Sequence, residues 1–190
     1  MQELKARILK EGRNLGGGIL KVDSFLNHQI DPGLMTRLGA ELAKRLAYTR
    51  PTKVLTAETS GIAPALATAA ALSIPVVFAR KSPPLTMDYT IVSESCRSRT
   101  HDKMVELMVS TEYLTPQDRV LIIDDFLATA QTILALGRLI NKVNATLVGV
   151  GAVVEKEFEL GRANAKPLNV PIESLAVIAS MDDGKILFKD

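Results

Sequence analysis

Two adjacent carboxylates, Asp124 and Asp125, follow the apolar run Val120-Leu121-Ile122-Ile123, and small or hydroxyl-bearing residues follow soon after, Ala128-Thr129-Ala130-Gln131-Thr132. A short continuous apolar run is the pattern of a strand buried on both faces, so it delivers both carboxylates to one edge of a sheet. In open α/β sheets, ligands sit beyond the carboxyl-terminal edge. The loop that opens the next helix exposes backbone N–H groups which, with the helix dipole, hold anions; the Thr129 and Thr132 hydroxyls add donors. Carboxylates that accept from vicinal hydroxyls, beside an anion cradle, suit a phosphorylated sugar. The same residues also read as a solvated turn at Asp124-Asp125 and a plain helix cap at Thr129.

Other candidates flank this segment. Glu58-Thr59-Ser60-Gly61 is a loop after one strand, and Arg80-Lys81 follows another. Lys156 comes just after an apolar stretch, so its ammonium reaches the same sheet edge and can donate to an oxo group. With Glu155 and Glu157 beside it, the alternative is a surface ion-pair cluster. Phe158 suits either stacking on a ring or core packing. Asn27 can both donate and accept, or serve as an ordinary loop residue. His28 and His101 are too few and too far apart for a metal site or a triad, and no metal-ligating residues are assigned. The single cysteine, Cys96, forms no internal disulfide or cysteine zinc cage, which predicts a cytoplasmic protein.

The elements that position these groups follow from periodicity. Leu34, Met35, Leu38, Leu42 and Leu46 recur at helical spacing, predicting a helix that ends near Tyr48, before Pro51. Val54–Ala57 and Pro75–Ala79 read as strands around an Ala-rich helix, Ile62–Leu72. Arg80–Lys103 shows no consistent period and reads as a long mobile excursion, with a strand over Met104–Ser110 at its foot. Then come a strand over Arg119–Ile123, a helix from about Thr129 to Lys142, and a buried strand over Ala145–Val154. Two strand-like runs flank Asp182-Asp183-Gly184, a hairpin signal. Alternating strands and helices predict an α/β fold with a parallel sheet core flanked by helices.

The 190 residues suit a single domain, 1–190, with a core over about 36–154 and a small cap (a hood) built from about 1–35 and 155–190. With 23 Lys+Arg against 21 Asp+Glu, the formal charge of +2 gives no support to a nucleic-acid binder, even at a sequence pI of 8.7. No window approaches the ~18 apolar residues of a membrane span, so no membrane partner is expected. No Gly-x-x-x-x-Gly-Lys-Ser/Thr occurs, and Gly16-Gly17-Gly18 does not continue into a dinucleotide fingerprint.

Val120 to Thr132 resembles the fingerprint of the type I phosphoribosyltransferases, enzymes that use phosphoribosyl diphosphate (PRPP), and the rest of the chain fits that family over nearly its full length. The resemblance implies that Asp124 and Asp125 hold the ribose diol and that Ala128 to Thr132 cradle the 5-phosphate. It places Thr59 and Ser60 in the pyrophosphate loop, Arg80 and Lys81 at the pyrophosphate, and a flexible lid over Ser82–Lys103 with Arg97, Arg99 and Lys103. It puts Leu20, Asn27 and Lys156 at the purine. Two departures stand out. Ala130 replaces the usual cradle glycine, implying a backbone angle that alanine can adopt. Ala128 replaces an acidic residue of the hypoxanthine-guanine members. Together with the segment Gly16 to Gln29, this implies purine salvage with xanthine as the base, substrate-bound Mg2+ and a homodimer. Guanine or hypoxanthine is the alternative base, and a PRPP-sensing regulator the alternative class.

Overall fold

Along residues 119–127 the apolar side chains alternate between faces: Val120 and Ile122 join one buried cluster, Leu121 and Ile123 another. The strand is therefore the middle layer of three, with covering elements on both sides. The computed structural model describes residues 1–82, 90–98 and 103–189. Helix α1 (Gln2–Glu11) leads into two short paired strands, β1 (Arg13–Asn14) and β2 (Leu20–Lys21), and a π-turn over Asp23–Asn27. Helix α2 (Pro32–Leu46) is capped by Asp31, whose carboxylate accepts from the Leu34 N–H at 3.0 Å. Then follow β3 (Lys53–Ala57), α3 (Ile62–Leu72), β4 (Val76–Ala79), the pair β5 (Ile91–Ser98) and β6 (Lys103–Ser110), and β7 (Arg119–Leu127). The chain closes with α4 (Gln131–Lys142), β8 (Thr146–Lys156), α5 (Gly161–Asn164), β9 (Ile172–Ser180) and β10 (Leu187–Phe188).

The six-stranded sheet has the order β10-β9-β8-β7-β3-β4. Every pair in it is parallel except β10 with β9, which are antiparallel across the Asp182–Gly184 turn. Apolar side chains of α1, α2 and α3 bury against the face carrying Leu121 and Ile123. Those of α4, with Cys96, Leu107 and Val109 of the β5–β6 pair, bury against the face carrying Val120 and Ile122.

Three expectations change. The segment read as an aperiodic excursion contains β5, which pairs antiparallel with β6 over eight residues, from Ile91↔Ser110 to Ser98↔Lys103. Its sequence, Ile-Val-Ser-Glu-Ser-Cys-Arg-Ser, has no apolar alternation, and contacts distant in sequence hold it instead. Glu94 takes ion pairs from Arg138 at 2.7 Å and Lys142 at 2.9 Å, both on the outer face of α4. Strand β7 runs four residues past Ile123, because its ladder with β8 continues through Asp124↔Ala152, Phe126↔Val154 and Leu127↔Glu155. Helix α4 begins at Gln131 rather than Thr129, after a left-handed residue at Ala130.

Candidate active site

The carboxyl-terminal ends of β7 and β3 and the start of α4 surround a cavity of about 620 Å³. Its floor is the Asp124–Asp125 pair, which β7 carries as part of the strand. Both residues are buried, at 8% and 7% exposure, and the Asp125 N–H donates to Asp124 Oδ1 at 3.0 Å. Burial, and then the negative charge of Asp125, push the Asp124 carboxyl well above its ordinary range. A site that holds two carboxylates this dry favours an incoming cation or a row of hydroxyl donors.

Beside the carboxylates, Ala128, Thr129, Ala130, Gln131 and Thr132 line the wall and open α4. Ala130 stands at φ 65°, ψ 11°, so alanine adopts here the left-handed angle that favours glycine. The left-handed region costs an L-residue about 1–2 kcal/mol. The Ala130 methyl, only 5% exposed, lies in the apolar cluster with Ile133, which offsets part of that cost.

The loop after β3 approaches the carboxylates closely. A Cβ on Gly61 would stand 2.2 Å from Thr56 Oγ1 and 2.9 Å from Asp124 Oδ1, so only glycine lets α3 start against the Asp124 carboxylate. Ser60 and Glu58 reach the cavity wall, and the Glu58 carboxylate accepts from the Lys81 N–H at 2.6 Å. Lys81 lines the cavity. Arg80 and Thr59 do not: Thr59 is exposed, and the Arg80 guanidinium lies 5.5 Å from the Phe78 ring centroid. The Arg80 backbone joins β4 to β6 through paired 2.9 Å bonds with Met108.

The opposite wall comes from both ends of the chain. Gly17, Ile19, Leu20 and Asn27 descend from the N-terminal segment, and Lys156 ends β8. Lys156 Nζ donates to the Gly18 carbonyl at 2.7 Å and lies 5.0 Å from the centroid of Phe126. Cys96, Arg97, Val105 and Leu107 of the β5–β6 pair supply the remaining side. Burial pushes the Cys96 thiol up. Arg99 and His101 lie outside the described residues.

The cavity thus unites Asp124, Asp125, Lys81, Ser60, Ala128–Thr132, Leu20, Asn27 and Lys156, and it leaves out Arg80 and Thr59. Sequence reasoning missed Phe126; Phe158, left open between stacking and core packing, is 40% exposed and off the wall. Strict alternation along β7 gave no such signal: it groups Phe126 with Val120 and Ile122, whereas Phe126 packs against the cluster of Leu121 and Ile123. Among the described residues no three acidic, His or Cys side chains converge as a metal cage.

Residues 27–180 match the model of the phosphoribosyl transferase domain. The chain belongs to the phosphoribosyltransferase family. Within it, the chain is 49% identical over 187 residues to a xanthine phosphoribosyltransferase of Deinococcus deserti, covering 98% of this chain and 97% of the relative. It is also 49% identical over 185 residues to the xanthine phosphoribosyltransferase of Moorella thermoacetica, covering 97% and 94%. The phosphoribosyltransferase fold recurs in the adenine phosphoribosyltransferase of Rhodothermus marinus, with a TM-score of 0.74 and 24% identity over 94% of this chain and 100% of that one. At that identity the likeness speaks for the fold alone.

Proposed function

We infer that this chain transfers the phosphoribosyl group of PRPP to a ring nitrogen of xanthine, giving xanthosine 5'-monophosphate and pyrophosphate. The observation that carries the reading is one cavity joining the carboxylate pair and the cradle to a purine-sized wall ending in Lys156. In the transfer, the base nitrogen forms a bond to the anomeric carbon as the bond from that carbon to the pyrophosphate oxygen breaks. The transition state carries oxocarbenium character, so the protein's task is to hold the ribose, neutralise the leaving group and exclude water.

Asp124 and Asp125 accept from the ribose hydroxyls, and the amides and hydroxyls of Ala128 to Thr132 hold the 5-phosphate. Ser60 and Lys81 take the departing pyrophosphate. Thr59 and Arg80 act, on this reading, through the backbone of their loops, since neither side chain is on the wall. Magnesium fits as a substrate-bound ion: a hard cation seeks oxygen, the PRPP diphosphate supplies it, and the floor adds only the Asp124–Asp125 pair. When bound, it offsets charge on the diphosphate. The apolar side chains of Val105 and Leu107 help exclude water.

Lys156 donates to the 6-oxo group of the base. Leu20 packs on its ring, and the Asn27 amide meets the 2-oxo group that distinguishes xanthine from hypoxanthine. Family resemblance and the lone Cys96 support a cytoplasmic homodimer as part of this proposal, and sedimentation of the purified protein tests the dimer.

The deciding experiment follows nucleotide formation from PRPP and magnesium with xanthine, guanine, hypoxanthine and adenine in parallel. Xanthine should lead by at least tenfold in kcat/KM. Equal use of guanine or hypoxanthine would remove Asn27 as selector while keeping the PRPP half of the site. Binding of PRPP without turnover of any base would overturn the transferase reading.

A further inference from the structure

The Lys156 ammonium is held by three separate stretches of chain: the Gly18 carbonyl, the Phe126 ring, and Glu159, whose Oε1 lies 3.6 Å from Nζ. Glu159 closes the 3-10 turn Glu157–Glu159 that follows β8. Unlike Phe126 and Lys156, it does not line the cavity. Both side chains of the pair are nearly dry, with 8% exposure for Lys156 and 7% for Glu159. A carboxylate or an ammonium buried alone is strongly unfavourable, and each offsets that cost for the other. An ammonium is a compact charge on a flexible stem, and nothing in its own chemistry fixes where it points. Here the Gly18 carbonyl fixes it to the N-terminal hood, and Glu159 fixes it to the turn behind β8.

We propose that Glu159 is a positioning residue for base recognition: it holds the Lys156 ammonium charged and in register with the hood, without touching the base. The proposal rests on Lys156 being the donor to the 6-oxo group, and the experiment separates the two claims. Glu159→Gln keeps the side-chain shape and removes the charge. It should raise the KM for xanthine about tenfold while the KM for PRPP stays within about twofold. Lys156→Met should raise the xanthine KM at least as much, and adding Glu159→Gln to it should raise that KM no further, because the carboxylate then has no ammonium to position. The double variant should also melt higher than Lys156→Met alone, since it removes the buried charge that faced the lost ammonium.

An unchanged xanthine KM in Lys156→Met would overturn the reading of Lys156 itself. A raised KM in Lys156→Met with no change in Glu159→Gln would overturn the role of Glu159 alone. Equal rises in both substrates' KM values on Glu159→Gln would assign Glu159 to the general fold and equally defeat the proposal. Should Glu159→Gln fail to fold, Glu159→Asp keeps the charge and retracts it by one carbon. A xanthine KM that rises while the PRPP KM holds then supports the proposal, and any other pattern refutes it.

Discussion

Replacing Gly61 by alanine tests a steric effect, because the backbone there, φ −70° and ψ −17°, suits any residue. The added Cβ would meet Thr56 Oγ1 at 2.2 Å, Asp124 Oδ1 at 2.9 Å and the Ala57 carbonyl oxygen at 3.2 Å. Ordinary contact begins near 3.4 Å, so the worst overlap exceeds an ångström. Thr56 is fully buried, so its hydroxyl cannot swing into solvent, and the strain passes to the start of α3 or to Asp124. Overpacking of this kind costs about 1–3 kcal/mol, which for a chain of this size lowers Tm by roughly 2–10 °C. A shift of about 1 Å in Asp124 should reduce kcat/KM for PRPP by about a hundredfold. The Thr56 hydroxyl has no hydrogen-bond partner among the described residues, so Thr56→Ala alone costs only about 1 kcal/mol for its lost methyl and hydroxyl volume. In the double variant the worst overlap is gone, and Tm should recover above that of Gly61→Ala despite two changes. Thermal melts and PRPP kinetics on the four proteins decide the matter. Strict additivity, or a Gly61→Ala protein with wild-type Tm and kcat/KM, would refute the argument.

Other perturbations separate function from stability. Asp125→Asn should cost about 2–3 kcal/mol in transition-state stabilisation, read as kcat/KM, with Tm unchanged. Asp124→Asn should raise Tm near neutral pH while reducing turnover. Its folded carboxyl titrates high, so the stability it lends is full below the unfolded value of about 3.9 and is lost as pH rises through the raised folded value. The Tm gain should therefore be absent below about pH 4 and grow above it, and a pH-independent gain would sink that account. Glu94→Gln weakens exposed ion pairs to Arg138 and Lys142, so global Tm should move by less than about 1 kcal/mol equivalent. Limited proteolysis within β5 should nevertheless quicken, because its residues Ser93, Glu94 and Ser95 fasten it to α4.

The sheet was legible where burial is two-sided or helical spacing is strong. Val120 to Ile123 and Ile62 to Leu72 carry their structure in their own composition. What was not legible depends on partners remote in sequence. Ser93 to Ser98 forms a strand because β6 and the basic face of α4 receive it, and no local period announces that. Asp124 and Asp125 look like loop residues because carboxylates are rare in strands, yet the β8 ladder carries them inside β7. At the candidate site, residue types at the sheet edge pointed to most of the wall. Side-chain direction decided the rest: Arg80 turns onto Phe78, and Phe126 rather than Phe158 lines the wall. Ala130 shows a further limit, since a methyl can occupy a left-handed turn when its burial offsets the strain.

The docking of the first helix on the last strands has a consequence for the order in which the protein can be made. Leu4 and Ile8 of α1 bury in the same cluster as Leu175, Ala176 and Ile178 of β9, and Asn14 Nδ2 donates to the Met181 carbonyl at 2.6 Å. Lys5 Nζ donates to the Lys189 carbonyl at 2.7 Å. Residues of α1 therefore wait for β9, which starts only at Ile172, before they have this surface to settle on. During synthesis the turn from Ala128 to Thr132, proposed here as the phosphate cradle, can form with α4 while α1 still lacks its support. A nascent chain stalled before β9 would carry the proposed sugar-phosphate residues but not the surface on which α1, and with it the Leu20 side of the cavity, settles.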